Sequence, residues 1–181
     1  MFNEEFTAAS RGAAAKSALL KKNPGGYFLL SMLAGAYIGF GILLVFTLSG
    51  ALAGAPYTKL VMGCCFGIAL SLVVIAGAEL FTGNNLVMTA GLLRKTVTLG
   101  DALKLWGVCW VGNLAGSALL ALVFSLTGLY SDATLSAMTG AAAAKMTAGF
   151  IPLLTRGMLC NTLVCLAVWC GFRAKSDAGK L

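Results

Sequence analysis

The chain has 181 residues, of which 59% are hydrophobic and only 10% charged, and its formal net charge is +7. Because a soluble domain carries roughly 25% charged residues, this composition excludes an ordinary soluble protein and indicates an integral membrane protein. The basic excess is typical of the cytoplasmic loops of such proteins, so it does not predict nucleic-acid binding.

The N-terminal segment, residues 1–26, is mostly polar or small and is predicted to be cytoplasmic. Its stretch from Ala8 to Leu20 fits either an amphipathic helix at the membrane surface or a solvated lead-in. The first predicted span covers residues 27–48, in which Gly35 and Gly39 form a small-residue face for helix contact.

The second predicted span, residues 60–94, is broken near 79–85. Its apolar run meets the carboxylate of Glu79 and then the sequence LFTGNN. Backbone that leaves a helix at membrane depth must be buried in protein or line a cavity. Thr82, Asn84 and Asn85 are good N-caps, so a new helix is predicted to begin among them. Its free N–H groups and positive dipole end would form an anion site.

The third predicted span covers residues 105–128. It contains a small-residue face at Gly112 and Gly116, and Asn113 is predicted to make an interhelical hydrogen bond. The next stretch, residues 129–145, is predicted to be an outer loop.

The fourth predicted span covers residues 146–172. Pro152 and Arg156 are expected to interrupt it, so that its first part is bent or lies at the surface.

Basic side chains alternate between the two sides of these spans. Four lie in the N-terminal segment, three between residues 94 and 104, and three at the C-terminus, Lys180 included. The two loops on the other side contain only Lys59 and Lys145. By the positive-inside rule, both termini are predicted to be cytoplasmic.

Four polar residues have two interpretations each. Glu79 either caps free N–H groups and holds the loop or contacts a permeant ion, although a carboxylate would repel an anion. Thr82 either donates its hydroxyl to an ion or caps the helix. Asn161 either lines a cavity or joins two helices, and Lys145 either attracts anions at an outer mouth or is merely solvated.

The apolar residues Phe66 and Leu70 also have two interpretations. Phe66 and Leu70 are four apart and share a helix face, which either faces lipid or narrows a pore. The six cysteines lie in apolar runs and are expected to be buried apolar side chains. The sequence contains no histidine and no recognisable nucleophile–base pair or phosphate loop, so neither an enzyme nor a cofactor is predicted. A membrane subunit that serves only assembly is the alternative to transport, but it needs no helix start at membrane depth.

Two stretches resemble the signatures of the formate–nitrite transporter family: Val74 to Gly83, VIAGAELFTG, and Gly157 to Trp169, GMLCNTLVCLAVW. The region from Lys22 through residues 34–39 is similar to the family's first span, and to that of the nitrite channels in particular. The resemblance covers nearly the whole chain. It implies an all-α membrane protein with an aquaporin-like fold of two inverted three-span repeats, of which this chain has four of the usual six spans.

The resemblance also implies a homopentamer in the plasma (inner) membrane of a prokaryote. Each protomer would have its own pore for small monovalent anions, nitrite or formate, whose passage is either channel-like or linked to protons. A hydrosulfide channel of the same family is the alternative. Membrane lipid is the other expected partner.

Roles for individual residues follow from the same resemblance. Phe66 would form part of the outer pore constriction. The inner constriction would be formed by Leu70, Leu80 and Phe81, with Val164 on its fourth-span side. The anion would contact Thr82, Asn161 and Lys145. Apart from the resemblance, Glu79, Gly83 and Asn84 are predicted to stabilise the loop.

The chain departs from the family pattern at its C-terminus. The family's second repeat has a matching broken span with a pore histidine, whereas this sequence ends at Leu181 after four predicted spans. A truncated product or fragment is therefore expected, and the 181 residues alone are expected to conduct poorly or not at all. A non-conducting assembly subunit is the further alternative.

Overall fold

A computed structural model describes residues 2–176 and 179 of the chain. Lys180, which was counted above among the C-terminal basic residues, and Leu181 lie outside the described residues. The described part is helical, with no β-strand. The helices are α1 (Asn3–Lys22), α2 (Pro24–Ala51), α3 (Thr58–Ser71), α4 (Phe81–Leu93), α5 (Leu99–Thr127), α6 (Asp132–Met146) and α7 (Phe150–Arg173), and a π-helical segment (Leu72–Gly77) continues α3.

Four helical stretches of this described part are long and apolar enough to cross a membrane: α2, α3 with its π-helical continuation, α5 and α7. With 13 residues, α4 is too short to cross alone, since a spanning helix needs about 20. The second crossing is therefore made of two pieces. The all-α membrane class, the four spans and the break in the second span are confirmed.

The small-residue face of α2 packs on that of α5. A Cβ added to Gly35 would lie 2.0 Å from the carbonyl oxygen of Asn113, and one added to Gly116 would lie 1.9 Å from the backbone of α2. Only glycine allows this approach, so the predicted contact face is confirmed. A Cβ added to Gly63 or Gly67 would meet no described atom within 4 Å, so the corresponding face of α3 has no neighbour among the residues that the structure describes.

The first helix, α1, packs on α4. Ala13 is buried, and a Cβ added to Gly91 would lie 2.5 Å from the Cβ of Ala13. An ion pair of 2.7 Å between Lys21 and Asp101 also ties α1 to the start of α5. The segment is thus a helix with one face covered by protein, which excludes the solvated lead-in. Its position at the membrane surface stays a prediction.

The predicted outer loop at 129–145 is wrong in its conformation, because most of it forms α6. Ser131 caps this helix by accepting the N–H of Thr134, and the Ala-rich sequence that follows has high helix propensity. Buried Thr134 packs against Gly50 near the end of α2.

The expected interruption of the fourth span is also wrong. Gly149 is the N-cap of α7, so Pro152 lies in the first turn, where a missing N–H leaves no hydrogen bond unmade. Arg156 lies inside the continuous helix and is exposed. The span therefore begins at Phe150 and runs unbroken to Arg173.

Candidate functional site

The break in the second crossing is a short extended segment between two helical pieces. The π-helical segment ends at Gly77, whose φ of +81° lies in the left-handed region that favours glycine. Ala78 is extended, with φ −157° and ψ 165°, and the helical conformation resumes at Phe81. The chain therefore starts a second helix, α4, part-way along the crossing.

The start of α4 differs from the predicted capping. Its N-cap is Leu80, which offers no side-chain hydrogen bond, whereas Thr82, Asn84 and Asn85 lie inside the helix. The first N–H, that of Phe81, instead donates to Oδ1 of Asn113 on α5 at 2.9 Å. A polar side chain from another span thus replaces the local cap.

Two further donors of the first turn remain. The N–H groups of Thr82 and Gly83 have no hydrogen-bond acceptor among the described residues, whereas the N–H of Asn84 already donates to the carbonyl oxygen of Leu80 at 2.9 Å. The helix dipole adds partial positive charge at the same place. The start of α4 therefore offers two free N–H groups and no formal negative charge of its own.

The Glu79 side chain holds the break through other side chains rather than through the N–H groups of α4. Its Oε1 accepts from Nζ of Lys16 at 2.5 Å, and its Oε2 accepts from Tyr27 OH at 3.1 Å and from Nδ2 of Asn84 at 3.0 Å. Glu79 is only 8% exposed. The loop-holding interpretation is thus supported in a modified form, and the ammonium of Lys16 offsets the negative charge that would repel an anion.

Gly83 and Asn84 lie behind the break, in contact with other helices. A Cβ added to Gly83 would lie 3.4 Å from Cγ2 of Val168, so α7 contacts α4 at this glycine. Asn84 is buried, and its Nδ2 also donates to Tyr27 OH at 3.1 Å. The loop-stabilising roles expected for both residues stay predictions.

A cavity of about 480 Å³ lies on one side of the α4 start. Leu70, Leu80 and Gly83 line it together with the Lys16–Glu79 ion pair. Two residues expected at the inner constriction, Leu70 and Leu80, are therefore brought together, beside a polar group that sequence reasoning did not connect with them.

A second cavity, of about 520 Å³, lies on the other side of the α4 start. Phe81 and Thr82 line it, together with Asn85, Asn161 and apolar side chains of α7. The amide of Asn161 donates to the carbonyl oxygen of Thr82 at 2.9 Å and accepts from Nδ2 of Asn85 at 3.0 Å. Both interpretations of Asn161 therefore hold, since it joins α7 to α4 and also lines a cavity.

The remaining candidates lie apart from these two cavities. Phe66 is 39% exposed, and its ring lies beside Gly41 of α2. Val164 is half-buried in the middle of α7. Lys145 is exposed in the last turn of α6 and makes no ion pair within residues 2–176. The expected inner constriction is thus divided, with Phe81 facing a different cavity from Leu70 and Leu80.

The expectation for the cysteines is correct only in part. Cys109 is buried, and its thiol donates to the carbonyl oxygen of Glu79 at 3.1 Å. Cys64, Cys160 and Cys170 are exposed on faces of spanning helices.

Sequence reasoning missed two partners of Glu79, namely Lys16 and Tyr27. One signal was available for the lysine, because Ala9, Ala13 and Leu20 are spaced as one face of a helix, and Lys16 falls on that face. An acidic side chain inside a membrane span also normally pairs with another polar group, so Glu79 itself was a signal that a partner exists. Tyr27, the first residue of the predicted span, carried no such signal.

These features define a helical membrane protein whose second crossing is broken between two cavities. A family model described as formate/nitrite transporter matches residues 3–181, so the chain belongs to the formate/nitrite transporter family. The family description is that of transporters rather than enzymes, in agreement with the prediction.

Individual relatives agree with this membership. A nitrite transporter, NirC, of Salmonella typhimurium is 41% identical over 179 residues, which are 98% of this chain and 66% of that relative. A solved structure of an FNT family ion channel superposes with a TM-score of 0.92 at 40% identity, covering 99% of this chain and 72% of that one. A pentameric formate channel with formate bound gives a TM-score of 0.77 at 30% identity, covering 88% of this chain and 64% of that one. The chain thus spans about two thirds of the length of the nitrite transporter.

Proposed function

We propose that this protein lets small monovalent anions, nitrite or formate, cross the plasma membrane of a prokaryote. The observation that carries the proposal is the start of α4, where the N–H groups of Thr82 and Gly83 have no acceptor within the described chain and two cavities lie on either side. Free N–H groups at the positive end of a helix replace part of the water that an anion loses. Membership of the formate/nitrite transporter family also supports the proposal, because the family description names anions of this kind.

The proposed path begins at the outer mouth, where Lys145 raises the local anion concentration. Phe66 then forms an apolar neck, which is costly for a charged ion to enter. Past this neck, the hydroxyl of Thr82 and the amide of Asn161 contact the ion. The proposed inner gate consists of apolar side chains on both sides of the α4 start: Leu70 and Leu80 at one cavity and Phe81 at the other, with Val164 of α7 apart from both.

Nitrite is the first anion to test, because the relative that is 41% identical is a nitrite transporter. Formate is the second, because a formate channel shares the fold at 30% identity. The proposal assigns Glu79 no contact with the ion. Its carboxylate is paired with Lys16 at 2.5 Å, which supports a role in holding the break.

In this proposal the protein works as a homopentamer with both termini in the cytoplasm. The pentameric formate channel supports the assembly. Support for the orientation comes from the basic N-terminal segment and the basic turn at 94–104, which lie at the same end of the molecule, joined by the ion pair of Lys21 with Asp101.

The experiment is stopped-flow uptake of nitrite and formate into liposomes that contain the natural protein with every span its gene encodes, because the 181 residues alone are expected to conduct poorly. Thr82→Val keeps the side-chain shape and removes the hydroxyl, so we expect nitrite uptake to fall about tenfold with assembly unchanged, in line with the loss of one hydrogen bond to a charged group. Thr89→Val is the matched control, because Thr89 lies on the same helix, is exposed, and lines neither cavity beside the break. Absence of selective anion uptake by the natural protein, or full uptake by Thr82→Val, would contradict the proposal.

A further inference from the structure

Asn113 of α5 bonds to three pieces of backbone that meet at the break. Its Nδ2 donates to the carbonyl oxygen of Ser31 on α2 and to that of Glu79, both at 2.8 Å. Its Oδ1 accepts the N–H of Phe81 at 2.9 Å. A primary amide has two donors and one acceptor oxygen, so these bonds use both ends of the group and fix its orientation.

The close packing of α2 on α5 fixes the level of Asn113 along the crossing. A Cβ added to Gly112 would lie 2.4 Å from the Cβ of Ser31, so the two helices cannot slide past one another freely at this point. One turn further, Ser117 donates to the carbonyl oxygen of Gly35 at 3.1 Å. The amide of Asn113 is therefore presented to the break by a rigid pair of helices.

The bond to Glu79 has an electrostatic consequence. The carbonyl oxygen of Glu79 also accepts from the thiol of Cys109 at 3.1 Å, so two donors cover this partial negative charge beside the start of α4. Meanwhile the acceptor of the same amide takes only the first N–H, that of Phe81. The N–H groups of Thr82 and Gly83 stay free for another acceptor.

We propose that Asn113 is a positioning residue for the anion site. It holds the first turn of α4 so that the hydroxyl of Thr82 and the free N–H groups face the path, and it masks a carbonyl oxygen that would repel the ion. Its effect on transport rests on the anion pathway proposed above, whereas its hold on α4 does not.

Two substitutions separate these contributions. Asn113→Leu has a similar size and removes all three hydrogen bonds. Asn113→Asp keeps an acceptor for the N–H of Phe81 but loses both donors and adds negative charge at the break. Ser117→Ala is the matched control, because it removes a hydrogen bond between the same two helices one turn away from the break.

The test combines amide hydrogen exchange of the peptide containing residues 80–86 with nitrite uptake into liposomes. We expect Asn113→Leu to speed exchange at Phe81 about tenfold and to lower uptake about tenfold, with Ser117→Ala like the natural protein in both. Asn113→Asp should keep slow exchange at Phe81 and still lose uptake. Adding Thr82→Val to Asn113→Leu should cause no further loss, because a displaced hydroxyl no longer contributes.

Unchanged exchange at Phe81 in Asn113→Leu would overturn the proposal. Independent, multiplied losses in the double variant would overturn it as well, as would equal losses in Ser117→Ala. If Asn113→Leu fails to fold, Asn113→Asp tests the proposal instead. Slow exchange at Phe81 together with lost uptake would support it, and any other combination would overturn it. If exchange responds as expected but the natural protein takes up neither nitrite nor formate, the proposed function fails and the hold on α4 stands.

Discussion

The carboxylate of Glu79 and the ammonium of Lys16 are unequally buried. The Glu79 side chain is 11% exposed and that of Lys16 is 25% exposed, so a lysine left without its partner can turn towards solvent while the carboxylate cannot. Removing one member of a buried pair is most costly when the charge that remains is the buried one. The two halves of this pair should therefore differ in their effect on stability.

We expect Lys16→Met to lower the free energy of unfolding by about 3 kcal/mol and Glu79→Gln by only about 1 kcal/mol. The double variant should be more stable than Lys16→Met, because it leaves no buried charge. Thermal unfolding in mild detergent measures this, with Lys21→Met as the control for a more exposed ion pair, whose loss should change little. Equal losses for the two single variants would show that burial does not govern the pair.

Single residues were easier to identify from sequence than their partners. Glu79, Thr82 and Asn161 stand out because polar groups are rare in apolar runs. Their partners come from distant parts of the chain, as in the bond between Asn113 and the N–H of Phe81. Which groups meet depends on how the helices are rotated and shifted against each other, and a pattern along one helix does not contain that information.

At the scale of elements, α1 depends on one glycine of α4. A side chain at Gly91 would run into Ala13 at 2.5 Å and into Val97 at 2.9 Å. Gly12 lies in the same interface, but a Cβ there would meet only Val87 at 3.7 Å, an ordinary contact. The interface therefore contains both a sensitive glycine and a tolerant one.

We expect Gly91→Val to displace α1 from α4, whereas Gly12→Ala should leave the two helices packed. Limited trypsin digestion of the purified protein measures this, because a detached α1 unwinds and is then cleaved at Arg11 and Lys16, whereas the packed helix resists cleavage. Slow cleavage in Gly91→Val, no faster than in the natural protein, would show that α1 is held by its ends rather than by this interface.

Helices with a strong sequence pattern were predicted correctly, and those with a weak pattern were not. Long apolar runs predicted all four crossings, and the acid at residue 79 predicted the break. The conformation of α6 was missed because alanines carry no amphipathic pattern, although the capping pair of Ser131 and Thr134 was a readable signal. Pro152 led to a wrong prediction because the effect of a proline depends on its distance from the start of the helix. The fourth span was predicted to begin at residue 146, whereas α7 begins at Phe150.

At the scale of the molecule, the basic segments gather at one end. The Arg173 guanidinium lies 3.9 Å from Glu5 of α1, and Lys21 of α1 pairs with Asp101 at 2.7 Å. The end of α7, the N-terminal helix and the start of α5 are thus on the same side, as the alternation of charge predicted. Which side of the membrane this is remains a prediction from the positive-inside rule.

We expect a fluorescent protein fused after residue 181 to be folded and bright in the cytoplasm. Alkaline phosphatase fused after Tyr130, between α5 and α6, should be active only outside it. Opposite signals from both fusions would invert the orientation and move Lys145 from the proposed outer mouth to the cytoplasmic side.

Assembly gives the last prediction, which rests on the pentameric formate channel that shares this fold and on small-residue faces that no described residue covers. No residue of α7 is buried, and a Cβ added to Gly63 or Gly67 of α3 meets no described atom within 4 Å. Small-residue faces let helices of neighbouring protomers approach closely in lipid.

Native mass spectrometry in mild detergent should therefore find a species of five protomers. Gly63→Leu should shift it towards monomers while the helical circular dichroism stays the same, and Gly140→Leu on the exposed surface of α6 should not. Monomers alone in the natural protein would exclude a stable pentamer, and an intact pentamer in Gly63→Leu would assign the interface to other helices.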